Sequence, residues 1–185
     1  MTAGPLRGYL VVAAVVLLTS CKSFHQAANA PERAPAGPTD GNIAAMLLAA
    51  NSTDISYAKL VPGRSVSPTI EDFARRMIVD HSAVTTAVNE LIARTNIKPE
   101  ENAASLDFRD ESTTKRDLMR GLEGRQFDST YIANEIEYHT KLLKTLDTVL
   151  IPKARDAQLR QVLVSVRPAV ASHLSHAERV QATLH

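Results

Sequence analysis

The sequence predicts an all-α protein, a four-helix bundle with a long crossover between helices two and three. Aromatic residues make up only 4% of the chain and there is no Trp, whereas Ala, Leu and Val are plentiful, which favours packed helices over a β-sandwich. Apolar residues also recur at three- and four-residue spacing in four long stretches. The second and third stretches are separated by residues 97–126, which we take as the crossover.

The N-terminus predicts an export signal. A single charge, Arg7, precedes an apolar run from Tyr9 to Leu18, which is too short to span a bilayer but suits the core of a signal peptide. The run ends in Leu-Thr-Ser-Cys at Cys21, which resembles a bacterial lipobox, whose cysteine is lipidated. We therefore expect a lipoprotein signal peptide at residues 1–20 and lipidation at Cys21. The alternatives are an ordinary signal peptide with an incidental cysteine, or a single-span anchor.

A lipidated protein stays at a membrane, because two or more acyl chains such as palmitate give stable anchoring. Lys22 stands where bacterial lipoproteins retained at the inner membrane usually have Asp, so by resemblance we expect the periplasmic face of the outer membrane rather than the inner one. Removing the signal with its Arg7 lowers Lys plus Arg from 21 to 20, which balances the 20 acidic residues. This balance argues against a nucleic-acid partner. The expected partners are the membrane and an unidentified envelope protein.

Residues 21–40 are rich in Ala, Pro and polar residues and predict a flexible tether, so the bundle domain is expected at residues 41–185. Helix one is expected to begin after a cap at Thr39 and to run to about Leu60. The Pro62-Gly63 pair ends it, since Pro lacks the amide hydrogen and Gly accepts a left-handed cap.

A carboxylate interrupts the apolar face of helix one, which consists of Ile43, Leu47, Ala50, Asp54, Ala58 and Val61. Two orientations of the helix are compatible with this pattern. In one, Asp54 faces the core. In the other, the helix is rotated slightly, so that Ile55 faces inward and Asp54 lies at the edge.

A histidine interrupts the apolar face of helix two, which is expected to begin with Ser67 as cap and Pro68 in its first turn and to end near Thr95. The face consists of Ile70, Ala74, Met77, His81, Val84, Val88 and Leu91. The imidazole of His81 therefore needs a partner inside the protein. Asp80 falls toward the solvent, where we expect an ion pair with Arg76 across one turn.

Helix three, expected from about Asp128 to Leu150, has His139 on its apolar face. Glu135 lies on the adjoining stripe and can also reach the interior. In the crossover before this helix we expect only a short amphipathic piece.

Helix four, expected to begin after Pro152, has a third histidine, His173, among the apolar residues from Leu159 to Leu184. Pro168 falls inside this helix and is expected to kink or divide it.

Counting residues back from the turns places the three histidines at similar depths in the bundle, so that they can share a middle layer with Asp54. Neutral imidazoles are the commonest protein ligands for Zn, Cu, Fe and Ni, and a carboxylate from Asp54 or Glu135 would complete a site. The other interpretation is that each histidine forms hydrogen bonds within the core, to Asp54, Tyr131, Tyr138 or a buried water. The sequence shows no phosphate-binding Gly loop, nucleophile elbow or Cys–His pair, so we assign no catalytic residue and no cofactor-binding motif.

Several motifs resemble, in their order, a bacterial envelope family called domain of unknown function 4142; they are Phe73-Ala74-Arg75-Arg76-Met77, Asp80-His81, Gly124, Phe127-Asp128, Tyr131, His139, Pro168 and His173-Leu174. The resemblance covers about residues 41–184 and implies a ferritin-like bundle with an envelope address. Ferritin-like di-iron enzymes have Glu three residues before their ligand histidines, and the chain has Ile78, Ile136 and Val170 there. A di-iron centre is therefore not expected.

Two functions are compatible with these patterns. The first is a lipid-anchored, non-enzymatic bundle at the periplasmic face of a membrane, with a binding or envelope-stress role. The second is a metal-binding or metal-dependent redox protein that uses His81, His139 and His173 with Asp54 or Glu135.

Overall fold

Five long helices make up the protein in the computed structural model, which describes residues 1, 2, 4 and 37–184. The predicted signal peptide, Cys21 and nearly all of the tether lie outside these described residues. Residues 37–184 belong to one compact unit, Pro35–His185. The described residues form helices and no strands, so the all-α prediction is confirmed. In this part of the chain, no helix combines the length and the apolar character that crossing a membrane requires.

The bundle is formed by four helices, which are α1 (Asp40–Ala58), α2 (Pro68–Arg94), α4 (Gly124–Thr145) and α6 (Ala157–Ala182). Helix α4 continues through a π-helical turn, Leu146–Leu150, into the short α5, Ile151–Lys153. The main packing contacts within the bundle join α1 to α2, α4 to α6, and α2 to α6. Their apolar faces meet in a continuous core, as the three-four spacing predicts.

The crossover contains a full helix, α3 (Ala103–Arg120), where a short amphipathic piece was expected. A capping box fixes its start: Asn102 accepts a hydrogen bond from the Ser105 amide at 2.9 Å, and the Ser105 hydroxyl oxygen accepts one from the Asn102 amide at 3.0 Å. The helix packs along α1 and buries Phe108 and Met119. The sequence predicted too short a helix here, because α3 packs on the bundle with one side only and therefore contains few apolar residues.

Helix α4 begins at Gly124, one turn before the expected Asp128, because the loop after α1 fixes it there. The Gly124 amide donates to the Arg64 carbonyl at 2.8 Å, and Gly124 has φ +59°, a conformation that glycine adopts without strain. The Asp128 carboxylate accepts from the Val66 amide at 3.3 Å and is buried. The start of α4 thus depends on a contact with a segment about sixty residues earlier, which local periodicity does not reveal.

The first two helices of the bundle begin at the caps that the sequence predicts. Thr39 and Asn42 form a capping box at the start of α1, and the Ser67 hydroxyl accepts from the Ile70 amide at 3.4 Å with Pro68 in the first turn of α2. Helix α6 runs without interruption across Pro168, so the bundle accommodates this proline without dividing the helix. Pro168 nevertheless has no amide hydrogen to donate to the Val164 carbonyl one turn earlier.

Candidate metal centre

The three interrupting histidines meet in the centre of the bundle. Their ring centroids are 5.7 Å apart for His81 and His139, 5.3 Å for His81 and His173, and 5.4 Å for His139 and His173. One ring nitrogen from each lies within 4.8 Å of the other two. Each residue is at most 3% exposed. The predicted middle layer is therefore present, with one histidine from each of α2, α4 and α6.

Two carboxylates lie in the same layer. Asp54 on α1 is fully buried while Ile55 is half-buried, so the inward orientation of Asp54 is correct and the rotated one is wrong. Asp54 Oδ2 lies 3.4 Å from His81 Nε2 and 3.4 Å from His139 Nε2. Glu135 is also fully buried, and with Asp54 and His139 it forms a second group whose ligand atoms lie within 4.8 Å of one another.

The protonated nitrogen of His81 follows from its hydrogen bonds. The Asn51 amide nitrogen donates to the Leu47 carbonyl at 2.7 Å, which turns the Asn51 side-chain oxygen toward His81 Nδ1, at 2.8 Å. An amide oxygen only accepts, so His81 Nδ1 must be the nitrogen that carries hydrogen. His81 Nε2 therefore keeps a lone pair.

The other two histidines follow the same rule. His139 Nδ1 lies 2.9 Å from the Glu135 backbone carbonyl, and His173 Nε2 lies 2.8 Å from Asp80 Oδ2. A carbonyl and an ionised carboxylate both accept, so these two nitrogens carry the hydrogens. The lone pairs remain on His139 Nε2 and His173 Nδ1.

These three nitrogens and both oxygens of Asp54 are buried and have no hydrogen-bond partner among the protein groups that the structure describes. Two imidazole lone pairs thus face one carboxylate oxygen at 3.4 Å, acceptor against acceptor. A proton on Asp54 relieves only one such contact, whereas a cation placed between the groups relieves all of them. Donors on a tetrahedral ion with bonds of about 2.0–2.1 Å are about 3.3 Å apart, close to the 3.4 Å that separates Asp54 Oδ2 from His81 Nε2 and from His139 Nε2.

The electrostatics keep the imidazoles neutral. Burial lowers the pKa of His81 and of His139 to about 4, and burial also lowers the pKa of His173, outweighing the opposite effect of Asp80. Neutral imidazole is the form that binds metal ions. Burial raises the pKa of Asp54 to about 6, against the attraction of His139, so this carboxyl is ionised at neutral pH.

Glu135 is a second buried carboxyl whose pKa is raised. Burial, followed by the charge of Asp54, raises the pKa of Glu135 well above its usual value, because two carboxylates so close together resist double ionisation. The two buried carboxyls therefore hold a proton more tightly than either would alone in water, beside imidazoles that burial keeps neutral.

The donor set is suited to a first-row divalent ion. Imidazole nitrogen with carboxylate oxygen suits Zn, Cu, Fe and Ni, and the chain has a single cysteine, Cys21, far from the histidines in sequence. Four protein donors in a solvent-excluded layer are typical of closed sites, whereas catalytic sites keep an open coordination position.

Sequence reasoning missed two residues that hold the imidazoles. Asp80 forms the expected ion pair with Arg76, Nε to Oδ2 at 3.1 Å, but the same oxygen also holds His173 on another helix. Asn51 holds His81 from α1. A signal for it was present, because Asn51 lies between Leu47 and Asp54 on the buried side of α1.

The hydrogen-bond alternative predicted from the sequence is only partly met. Tyr138 donates to the Ala50 carbonyl at 2.6 Å rather than to a histidine. The Tyr131 hydroxyl has no hydrogen-bond partner within the described part of the chain. The two tyrosines therefore leave the free imidazole nitrogens unsatisfied.

The family described as Domain of unknown function (DUF4142) matches residues 25–180 of the chain. The chain belongs to this family. The match spans all five residues of the central layer, from Asp54 to His173, and it confirms the resemblance that the motifs indicate. Among curated proteins and solved structures, no match to the chain is found.

Proposed function

We propose that this DUF4142 protein binds one divalent transition-metal ion in the centre of its bundle, through His81, His139, His173 and Asp54. The observation that carries the proposal is that the three buried histidines can each offer a ring nitrogen within 4.8 Å of the other two, and that Asp54 Oδ2 lies 3.4 Å from the unpaired Nε2 of His81 and of His139. Each imidazole is held by a hydrogen bond on its other nitrogen, as is usual for ligand histidines in proteins.

The bound ion is proposed to be held rather than used in catalysis. The four donors fill a tetrahedral ion and the layer is closed to solvent, which favours storage, buffering or structural stabilisation over turnover of a substrate. Zn, Cu, Fe and Ni all suit the donors, since affinity for such sites depends on ligand type and geometry. Glu135 supplies a further oxygen donor beside Asp54 for an ion that takes more than four ligands.

We further propose that the bundle works at the periplasmic face of a bacterial membrane, the outer membrane by preference, where lipidated Cys21 anchors it. The support for this anchor is the sequence alone, an apolar run followed by a lipobox-like Leu-Thr-Ser-Cys. A metal-holding or stress-related role in the cell envelope would use both the lipid anchor at Cys21 and the helical bundle.

The metal proposal is tested on the soluble chain from Ser23 onward by elemental analysis and by titration with Zn, Cu, Ni and Fe. We expect one ion per chain for at least one of these metals. His176→Gln is the matched control, because His176 is also on α6 but packs on the Phe73 ring, 5.1 Å between centroids, and lies outside the central layer. A parent chain that binds none of the four metals would contradict the proposal.

The anchor is tested with Cys21→Ser in the full chain. We expect the variant to leave the membrane fraction, because removing the acyl chains removes the anchoring free energy of roughly 0.8 kcal/mol per buried methylene. Fractionation and mass spectrometry of the N-terminus provide the measurement. If the variant stays in the membrane fraction after the signal is cleaved, the lipoprotein interpretation is wrong.

A further inference from the structure

The three groups that hold the imidazoles differ in their access to solvent. Asn51, which holds His81, is 2% exposed, and Glu135, whose carbonyl holds His139, is fully buried. Asp80, which holds His173, has a side chain that is 32% exposed. Of these three groups, Asp80 is therefore the one that connects the central layer to the solvent, through His173.

Arg76 holds Asp80 in place at the surface. Its Nε donates to Asp80 Oδ2 at 3.1 Å, and this is the oxygen that accepts from His173 Nε2 at 2.8 Å. The Arg76 side chain is 60% exposed, so the ion pair is in contact with water and opens readily. Loss of this contact frees the Asp80 carboxylate to turn away from the interior.

Helix α6 is locally weakened next to His173. Pro168, five residues earlier, has no amide hydrogen for the Val164 carbonyl, and its ring crowds the preceding turn. Helices deform most easily at such positions. The segment that presents His173 can therefore shift more easily than the segments of α2 and α4 that present His81 and His139.

We propose that His173 and Asp80 form the entrance through which a divalent transition-metal ion reaches the central layer, and that Arg76 is the latch that keeps this entrance closed. The inference rests on the proposed function. When Arg76 releases Asp80, the carboxylate and the imidazole turn outward together and offer an arriving cation one oxygen and one nitrogen donor. Closure then delivers the ion to His81, His139 and Asp54.

A latch changes rates without changing affinity, and this is what the first experiment measures. In the full chain, Zn²⁺ uptake and chelator-driven Zn²⁺ release are followed by stopped flow. We expect Arg76→Gln to accelerate both by about twofold, the factor that matches a weak i,i+4 ion pair, and to leave the Kd unchanged. Arg76→Lys, which keeps the charge, restores parent-like rates.

Two controls separate the latch from general damage. Arg167→Gln removes an exposed ion pair of α6 that lies outside the proposed entrance, from Arg167 Nε and Nη2 to Asp147 at 2.6 and 2.8 Å, and is expected to change neither rate. Asn51→Ala removes the buried hydrogen bond that orients His81. We therefore expect faster Zn²⁺ release, little change in uptake and a Kd weakened by about 10–100-fold. If Arg76→Gln takes up and releases Zn²⁺ at the same rates as the parent, the latch is rejected, and the proposed metal site is unaffected by that result.

A second measurement needs no metal. Diethylpyrocarbonate modifies accessible neutral imidazoles, and peptide mass spectrometry resolves the rate at each histidine. In the metal-free chain we expect His173 to react before His81 and His139, and Arg76→Gln to accelerate the reaction at His173 alone. Faster reaction at His81 or His139 would place the entrance elsewhere. A chain that binds none of Zn, Cu, Ni and Fe would end the proposed function and the entrance together, which distinguishes this outcome from failure of the latch alone.

Discussion

We expect saturation with Zn²⁺ to raise the melting temperature of the protein by about 5–10 °C when the free ion is 100-fold above the Kd. The proposed donors come from four helices, and only the folded chain brings them together, so an ion at this site would bind the native state in preference to the unfolded one. Differential scanning calorimetry with and without a chelator measures the shift.

The matched variant replaces all three histidines, His81→Gln, His139→Gln and His173→Gln. We expect it to lose the Zn²⁺-dependent shift and stoichiometric binding, because the two carboxyls that remain, Asp54 and Glu135, lack the imidazole donors that Zn²⁺ prefers. Far-UV circular dichroism and the melting temperature of the metal-free variant show whether it remains folded. If its melting temperature rises with Zn²⁺ as much as that of the parent, the ion binds elsewhere.

Asp54→Asn is expected to stabilise the metal-free protein at pH 8 by on the order of 3 kcal/mol and to weaken metal binding. Burial raises the pKa of Asp54 from 3.8 to about 6, so the folded state holds this proton more tightly than the unfolded state. The contribution of Asp54 to stability is therefore most favourable below pH 3.8 and is lost as the pH rises to about 6. Asparagine carries no charge and does not incur this loss.

Urea unfolding with a chelator, from pH 4 to pH 8, measures this effect. The difference in unfolding free energy between Asp54→Asn and parent should be small at pH 4 and grow toward pH 8, while the histidines titrate in both proteins. Asp147→Asn is the control, since that carboxylate is exposed and paired with Arg167. A less stable Asp54→Asn protein at pH 8 would mean that Asp54 is satisfied without a metal. Asp54→Asn is thus expected to stabilise the metal-free fold and to weaken metal binding. Such a trade-off between stability and activity is typical of residues that serve function rather than packing.

Local periodicity predicted most of the fold. The helices that carry Asp54, His81, His139 and His173 have apolar residues every three or four positions, and this spacing is a property of each segment alone. The length of α3 and the start of α4 at Gly124 depend instead on contacts with α1 and with the loop after it. Those contacts join residues distant in sequence, so a local pattern does not reveal them.

The sequence by itself determined that three imidazoles face the core, because each replaces an apolar residue on a buried helix face. It left two orientations open for Asp54, and the structure decided for the buried one. The tertiary structure alone decided which ring nitrogens are free and where they meet. Asn51 reaches His81 from α1 and Asp80 reaches His173 from α2, so these hydrogen bonds depend on the axial register and rotation of packed helices. Register and rotation are set by side-chain packing across the whole core, and they turn three buried histidines into one candidate metal centre.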